Sequence, residues 1–263
     1  MVKAPSVFQL PKDSIKKADL GQSFAEYDVV RTDPQMFVET PSMTPAGRGA
    51  SKCIFVGRRG SGKTATTYYL EGREPKHTAL ILPELFSSLD AFVKQGDDAL
   101  SQRAFKTLVS SFKRSLLDEA VSIWKRSGAF SFSVAHPFDE IQKERNTVEQ
   151  FEFGARTLEF VEEGVGALAG GREKDWNKFN QRGKKLIQQI IDASVEPKRR
   201  LLILIDRIDE DWDGTSNAVT VLMALMHACV ELNAISPHIS VLLFIRENMF
   251  DRVRHTDLEF SRL

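Results

Sequence analysis

Cysteine is scarce in this 263-residue sequence, which contains only Cys53 and Cys229. Both lie in apolar segments without a C-x-x-C or Cys/His spacing, which argues against a zinc site or a disulfide framework and favours buried, reduced thiols. The N-terminus lacks the apolar centre of a signal peptide, and we expect no apolar stretch to approach the roughly 20 residues that span a bilayer. These absences predict a cytoplasmic protein that does not enter a membrane.

An excess of charge of one sign is also absent, because 36 Lys and Arg residues balance 36 Asp and Glu residues. The net charge therefore does not indicate nucleic acid or an anionic membrane as a partner, although a local basic face for nucleic acid is compatible with it. With 42% hydrophobic and 27% charged residues, the composition is that of one large globular domain, or one domain with an insertion.

The most informative stretch is glycine-rich and runs from residue 51 to 64, SKCIFVGRRGSGKT. Its apolar residues 53–56 predict a short strand, and residues 57–64 fit the pattern G-x-x-x-x-G-K-[ST]. Glycine lets the backbone curl so that several N–H groups converge on phosphate oxygens, and a helix that starts at Gly62 or Lys63 points its positive end at the same anion. The stretch therefore predicts nucleotide binding.

Each residue type in this stretch has a predicted role. Lys63 is expected to reach the β and γ phosphates of ATP, and the Thr64 hydroxyl to coordinate Mg²⁺. For Arg58 and Arg59 two interpretations stay open: contact with the phosphates, or two solvated loop arginines. The predicted nucleotide-binding residues are Gly57, Arg58, Arg59, Gly60, Ser61, Gly62, Lys63, Thr64 and Ala65.

A second landmark is the acidic segment that follows five consecutive aliphatic residues, 201–205. Such a run predicts a strand buried on both faces of a parallel sheet, and ligands of these sheets bind at the carboxyl ends of the strands. Asp206 emerges at that end and is predicted to hold Mg²⁺, directly or through water. Asp209 and Glu210 are predicted to orient and deprotonate the attacking water, with Glu210 favoured as the base.

Another buried strand is predicted over residues 239–245, and it ends in Arg246. If this strand joins the same parallel sheet, Arg246 faces the nucleotide, where a cation would sense the γ phosphate or stabilise the transition state. The alternative is an arginine engaged in a plain surface ion pair.

Periodicity predicts the other elements. Residues 77–85 predict a second buried strand, and 97–126 a long amphipathic helix. Further helices are predicted over 151–170, 175–194 and 215–235, the last with Thr215 or Ser216 as its N-cap.

The predicted fold is α/β, a three-layer P-loop nucleotide-binding fold with a central, mostly parallel sheet between helices and an added helical insertion. Residues 1–50 form an N-terminal arm with a segment that can lie against the nucleotide base, and 51–126 the P-loop half of the core. Residues 127–196 form the helical insertion, and 197–263 the half with the acidic and arginine-bearing strands.

Three segments, GRRGSGKT, LLILIDRIDE and VLLFIRE, together resemble the phosphate-binding loop, acidic strand and arginine-bearing strand of the additional-strand P-loop ATPases, especially STAND-type and initiator-like members. More narrowly, AEYD and FVET near residues 25–40, with IFVGRRGSGKT, IDRIDEDWD and FIRENMF, resemble a bacterial group of predicted P-loop ATPases associated with anti-phage defence. This likeness spans about residues 21–255 and rests on short motifs.

The resemblance implies an ATP-driven switch or oligomer, frequently with further sensing or effector domains. This sequence departs from it after Arg246, where the expected last strand and helical lid are not found. A fragment, or a partner protein that completes the site, would account for that departure.

Two hypotheses follow for function. The first is a Mg²⁺-dependent ATPase that acts as a homo-oligomer or with a partner protein. The second is an interaction module that binds ATP or ADP, turns over negligibly and switches assembly through its helical insertion. A GTPase is disfavoured because no N-K-x-D pattern for guanine recognition occurs.

Overall fold

The computed structural model describes residues 52–83, 85–86, 89, 102–127, 153–169, 181, 201–235 and 239–256. The predicted N-terminal arm, most of the predicted helix at 175–194 and most of the predicted insertion at 127–196 lie outside these residues. The described strands and helices are β1 (Ile54–Gly57), α1 (Lys63–Arg73), β2 (Thr78–Ile81), α2 (Gln102–Ser127), α3 (Phe153–Ala169), β3 (Leu201–Ile205), α4 (Ser216–Ile235), β4 (Ile239–Arg246) and α5 (Glu247–Thr256).

The four strands form one sheet in the order β1-β4-β3-β2, and every neighbouring pair is parallel. In this register Gly57 at the end of β1 lies beside Arg246 at the end of β4. The carboxyl end of β3, at Ile205, lies between Ile81 and Leu243. The prediction of an α/β fold with a parallel sheet is confirmed, and the ends of β1, β3 and β4 meet at one edge.

Helices cover both faces of this sheet. The larger core contains Ile203 and Ile205 of β3 with apolar residues of α2, α4 and α5. The smaller core contains Leu204 of β3 and Leu70 of α1 on the other face. Because successive side chains of a strand point to opposite faces, β3 has to be apolar throughout, and this double burial explains its uninterrupted aliphatic run.

Helix α4 corrects one expectation from the sequence. Its segment Ser216–Ala234 has a mean hydropathy of 1.3 and is long and apolar enough to cross a membrane, so the statement that no stretch approaches such a length was wrong. Most of that segment, 61%, is buried inside the protein, where α4 contacts α2, β4 and α5. A helix covered by the core on most sides meets the same criterion as a membrane span.

The start of α4 confirms the predicted N-cap. The Thr215 hydroxyl oxygen accepts a hydrogen bond from the backbone N–H of Ala218 at 3.2 Å. Thr215 in turn donates its backbone N–H to the Asp213 side chain at 2.9 Å. Gly214, which lies between these two residues, has a left-handed φ of 72°. These contacts fix where the acidic segment ends and the core helix begins.

Helix α3, which falls in the predicted insertion, packs against α2 through polar contacts as well as apolar ones. The Thr157 hydroxyl donates to Ser115 at 2.9 Å, and Arg156 forms an ion pair with Glu119 at 2.8 Å.

The two cysteines are both free and buried, as predicted, and burial raises the pKa of each thiol.

Candidate functional site

The residues between β1 and α1, 58–62, form the glycine loop. Gly60 and Gly62 have φ angles of 76° and 82°, which lie in the left-handed region that side chains rarely adopt. Gly62 is the N-cap of α1 and offers no side-chain cap, and the first turn of that helix holds no acidic residue. The positive end of α1 is therefore not neutralised by a side chain of that turn.

Gly57 is needed for a different reason, which is close approach. A Cβ added there would lie 2.4 Å from the Ser61 hydroxyl oxygen, because the loop turns back over the end of β1. The backbone N–H of Ser61 donates to the Arg58 carbonyl at 3.2 Å and closes that turn. The glycines of the predicted pattern thus meet two separate requirements, space at Gly57 and backbone conformation at Gly60 and Gly62.

Lys63 folds back over the loop. Its Nζ donates to the carbonyl oxygens of Gly57 at 3.0 Å and Arg58 at 2.9 Å. Burial lowers the pKa of Lys63, and this outweighs the negative charges of Asp206 and Asp209, which act in the opposite direction. The ammonium group therefore lies among loop carbonyls at the N-terminal end of α1, and the charges of both acids affect its pKa.

Asp206 directly follows β3 and is almost completely buried, with 2% of the residue exposed. Hydrogen-bonding interactions with the Thr64 side chain, the Arg207 backbone and Thr67 act to lower its pKa. Thr67 Oγ1, which also donates to the Thr64 carbonyl at 2.8 Å, lies 3.4 Å from Asp206 Oδ2. Burial raises the pKa of Asp206, and these hydrogen bonds and the Lys63 charge only partly oppose that effect. Thr64 and Asp206, predicted together as magnesium ligands, lie close enough for the Thr64 side chain to affect the pKa of Asp206.

Thr67 is a site residue that the sequence interpretation missed. It is fully buried and lies one helical turn after Thr64 on α1, and its hydroxyl oxygen lies 3.4 Å from Asp206 Oδ2. The i, i+3 spacing of the two threonines was the available signal. Its use required knowing that α1 lies beside the end of β3.

Arg246 forms an ion pair with Asp209. The Arg246 side chain is 36% exposed and that of Asp209 only 11%, so the pair is partly screened from water. The alternative interpretation of Arg246, an ion pair, is thus observed, and its partner is the acid that was itself predicted for the site. The contact joins the ends of β3 and β4.

Glu210 has a different surrounding. Its Oε1 accepts from Arg207 Nε at 2.6 Å, and its side chain is 57% exposed. The Glu210 backbone N–H also donates to the Arg207 carbonyl at 3.2 Å, which closes a turn, and Arg207 has a left-handed φ of 61°. The structure therefore separates the two predicted water-activating acids, because Asp209 pairs with β4 and Glu210 pairs within its own turn.

The remaining predicted loop residues lie nearer the surface. Arg58 is exposed and its Nε donates to Glu247 at 2.7 Å, next to Arg246. Arg59 and Ser61 are exposed, and Ala65 is half-buried in the first turn of α1. In the described part of the chain, no group of three or more His, Cys, Asp or Glu side chains could hold a metal ion. A Mg²⁺ ion at Thr64 and Asp206 would thus need phosphate oxygens or water as further ligands.

Comparisons with known proteins add little to this geometry. No model of a protein family matches the chain, and no solved structure matches it. A stretch of 85 residues, 32% of this chain, is 26% identical to a transposon gamma-delta 80.3 kDa protein of Escherichia coli (strain K12). The match spans 12% of that protein's length.

Proposed function

We propose that the protein binds ATP with Mg²⁺ and hydrolyses it to drive a change of conformation or assembly. One observation carries the proposal: the glycine loop opens onto the uncapped start of α1, and the first turns of that helix lie against the buried carboxylate of Asp206, whose Oδ2 is 3.4 Å from Thr67 Oγ1. This combines a site for phosphate with a hydroxyl and a carboxylate, the ligand types that Mg²⁺ takes beside a nucleotide.

Phosphate binding would use donor groups that already lie around the glycine loop. The N–H groups at the start of α1 lack side-chain acceptors in that turn, and bound phosphates would accept from them. Lys63 now donates to two neutral carbonyls, and it would exchange them for charged phosphate oxygens, which form stronger hydrogen bonds. Gly57 and Gly62 keep the loop free of side chains at that point.

Magnesium would satisfy the need of Asp206 for a countercharge. Burial disfavours its ionised form, and the neighbouring hydrogen bonds and the Lys63 charge offset this only in part. A divalent cation held by Thr64, Asp206 and the phosphates would supply that charge. The cation would also neutralise charge that develops on the phosphates during transfer to water.

Arg246 would stabilise the transition state. Its Cα is in register with Gly57, and its strand lies between the glycine-loop strand β1 and the acidic strand β3. A strand inserted at that place supports the resemblance to additional-strand P-loop ATPases. A carboxylate of the turn after β3, Asp209 or Glu210, would orient the attacking water.

The second candidate is a nucleotide-binding interaction module with negligible turnover. The Arg246–Asp209 ion pair favours it, because each charge now neutralises a group that hydrolysis would need. In that case a homo-oligomeric neighbour or a partner protein would have to complete the site. For either candidate we propose the cytoplasm as the location and, from the resemblance, bacterial anti-phage defence as the setting.

The test measures Mg²⁺-dependent phosphate release and equilibrium nucleotide binding by the purified chain, with ATP, ADP and GTP, at low and high protein concentration. Lys63→Ala should abolish binding or turnover, while the exposed Lys76→Ala serves as the matched control. Release that rises with concentration supports an ATPase completed between subunits. Tight ATP binding without release supports the interaction module, and the absence of nucleotide binding refutes both candidates.

A further inference from the structure

We propose that Asp209, rather than Glu210, is the carboxylate that activates the attacking water, and that Arg246 holds it until ATP arrives. The inference rests on the proposed ATPase function and assigns a role that the function itself leaves open. The sequence pattern favours Glu210 as the base. The surroundings of the two side chains favour Asp209.

Burial separates the two acids. A base that deprotonates water at the γ phosphate works in a site from which bulk water is excluded. The Asp209 side chain is 11% exposed and that of Glu210 is 57% exposed. Asp209 therefore meets this requirement in the present conformation. Both acids would have to release an arginine partner, but only Glu210 would also have to leave solvent.

The ion-pair partners separate them further. Asp209 pairs with Arg246, whose Cα is in register with Gly57 at the start of the glycine loop. Glu210 pairs with Arg207, three residues earlier in the same turn. The charges that act on the Lys63 ammonium are those of Asp206, Asp209 and Arg246. Asp209 thus belongs to the group of charges around the predicted phosphate site.

The turn after β3 explains why the sequence order misleads. Arg207 has a left-handed φ of 61°, which redirects the chain as it leaves the strand. Ile208 then lies completely buried in the larger core and anchors the turn. With Ile208 fixed inside, Asp209 reaches β4 while Glu210 returns to Arg207 at the surface. Arg207 and Ile208 are positioning residues for Asp209.

The chemical step balances with these groups. The water oxygen attacks the γ phosphorus as its proton passes to the Asp209 carboxylate, and the bond from the γ phosphorus to the β–γ bridging oxygen breaks. ADP leaves with that electron pair, and Asp209 later returns its proton to solvent. Arg246 would transfer from Asp209 to the γ-phosphate oxygens, which frees the carboxylate for water and places a cation on the developing charge.

The test compares Asp209→Asn and Glu210→Gln in the full chain under single-turnover conditions with Mg²⁺ and ATP. Asp209→Asn should slow phosphate release by about 100-fold or more, the usual contribution of a general base. Glu210→Gln should slow phosphate release at least tenfold less than Asp209→Asn does. Asp251→Asn, an exposed acid on α5, is the matched control for the loss of one carboxylate.

Two further measurements separate catalysis from folding. ATP affinity of Asp209→Asn should equal or exceed that of wild type, because Arg246 is released for the γ phosphate. Nucleotide recovered from Asp209→Asn after incubation should be ATP, while wild type and Glu210→Gln yield ADP. Loss of ATP binding in Asp209→Asn would mean a structural role and would overturn the assignment.

The outcomes distinguish this assignment from the proposed function. An active wild type whose turnover is lost in Glu210→Gln, alone or together with Asp209→Asn, overturns the assignment and leaves the ATPase intact. A wild type that binds ATP and releases no phosphate at any protein concentration overturns hydrolysis and the assignment with it.

Discussion

Replacing Asp206 with Asn should make the nucleotide-free protein more stable and at the same time remove its stabilisation by Mg²⁺ and ATP. The carboxylate is buried with 2% exposure, and burial raises its pKa above the ordinary value of 3.8. Asn has the same shape and carries no charge, and it keeps one acceptor oxygen while its NH2 group replaces the other, so the net gain is the relief of the buried charge less one accepted hydrogen bond. Relief of a buried charge of this kind is worth about 1 kcal/mol in the free energy of unfolding, or about 2–4 °C in Tm.

The pH dependence has a defined sign. Since the folded-state pKa of Asp206 is raised, its favourable contribution to folding is complete below the unfolded-state pKa and is lost as the pH rises through the folded-state pKa. The advantage of Asp206→Asn should therefore be small in acid and largest at neutral pH. A difference from wild type that is largest in acid and vanishes at neutral pH would contradict the argument.

The ligand reverses the order of stabilities. At 100 times the dissociation constant, Mg²⁺ and ATP should stabilise wild type by about 2.7 kcal/mol, or roughly 5–10 °C. Asp206→Asn should lose most of that gain, because it lacks the charged metal ligand. The assay is thermal unfolding with no nucleotide, with ATP and a chelator, and with Mg²⁺ and ATP, with Asp251→Asn as control. A variant that is less stable than wild type without nucleotide, or that keeps the full gain, refutes the reasoning.

Three further substitutions test single features. Gly57→Ala places a Cβ against Ser61 and should weaken ATP binding at least tenfold at nearly unchanged Tm. Gly72→Ala is the control, because a Cβ there meets nothing within 4 Å, and it should leave ATP binding intact in the same titration. At Arg207, whose backbone is left-handed, Gly should be more stable than Ala by about 1 kcal/mol in urea unfolding, the reverse of the usual order. Asn233→Ala removes three hydrogen bonds to the backbone of α4 and β4 and should cost about 2–3 kcal/mol by the same method.

The central strands could be predicted because their surroundings impose a simple pattern. β3 and β4 have helices on both faces, so every residue from 201 to 205 and from 239 to 245 is apolar or small, and their limits were predicted almost to the residue. The glycine loop and the Thr215 cap were predictable because both depend on local backbone requirements. Such local backbone requirements can be inferred from the sequence alone.

The contacts across the sheet edge could not be predicted in the same way. Periodicity does not encode strand order, so nothing in the sequence stated that β4 lies between β1 and β3. Without that order, the pairing of Arg246 with Asp209 and the approach of Thr67 to Asp206 had no visible cause. The apolar length of α4 misled for the related reason that composition does not distinguish a lipid surround from a protein core.

The strand order also has a consequence for biosynthesis. Among the described strands β1 pairs only with β4, and the partners Ile54 and Leu243 are about 190 residues apart in the chain. At roughly 5–20 residues per second, β1 leaves the ribosome about 10–40 s before its partner exists. During that interval the apolar strand β1 and the glycine loop that follows it lack β4, the strand with which β1 pairs. Nascent chains that end before β4 should therefore lack an assembled form of the proposed nucleotide site, however complete their glycine motif.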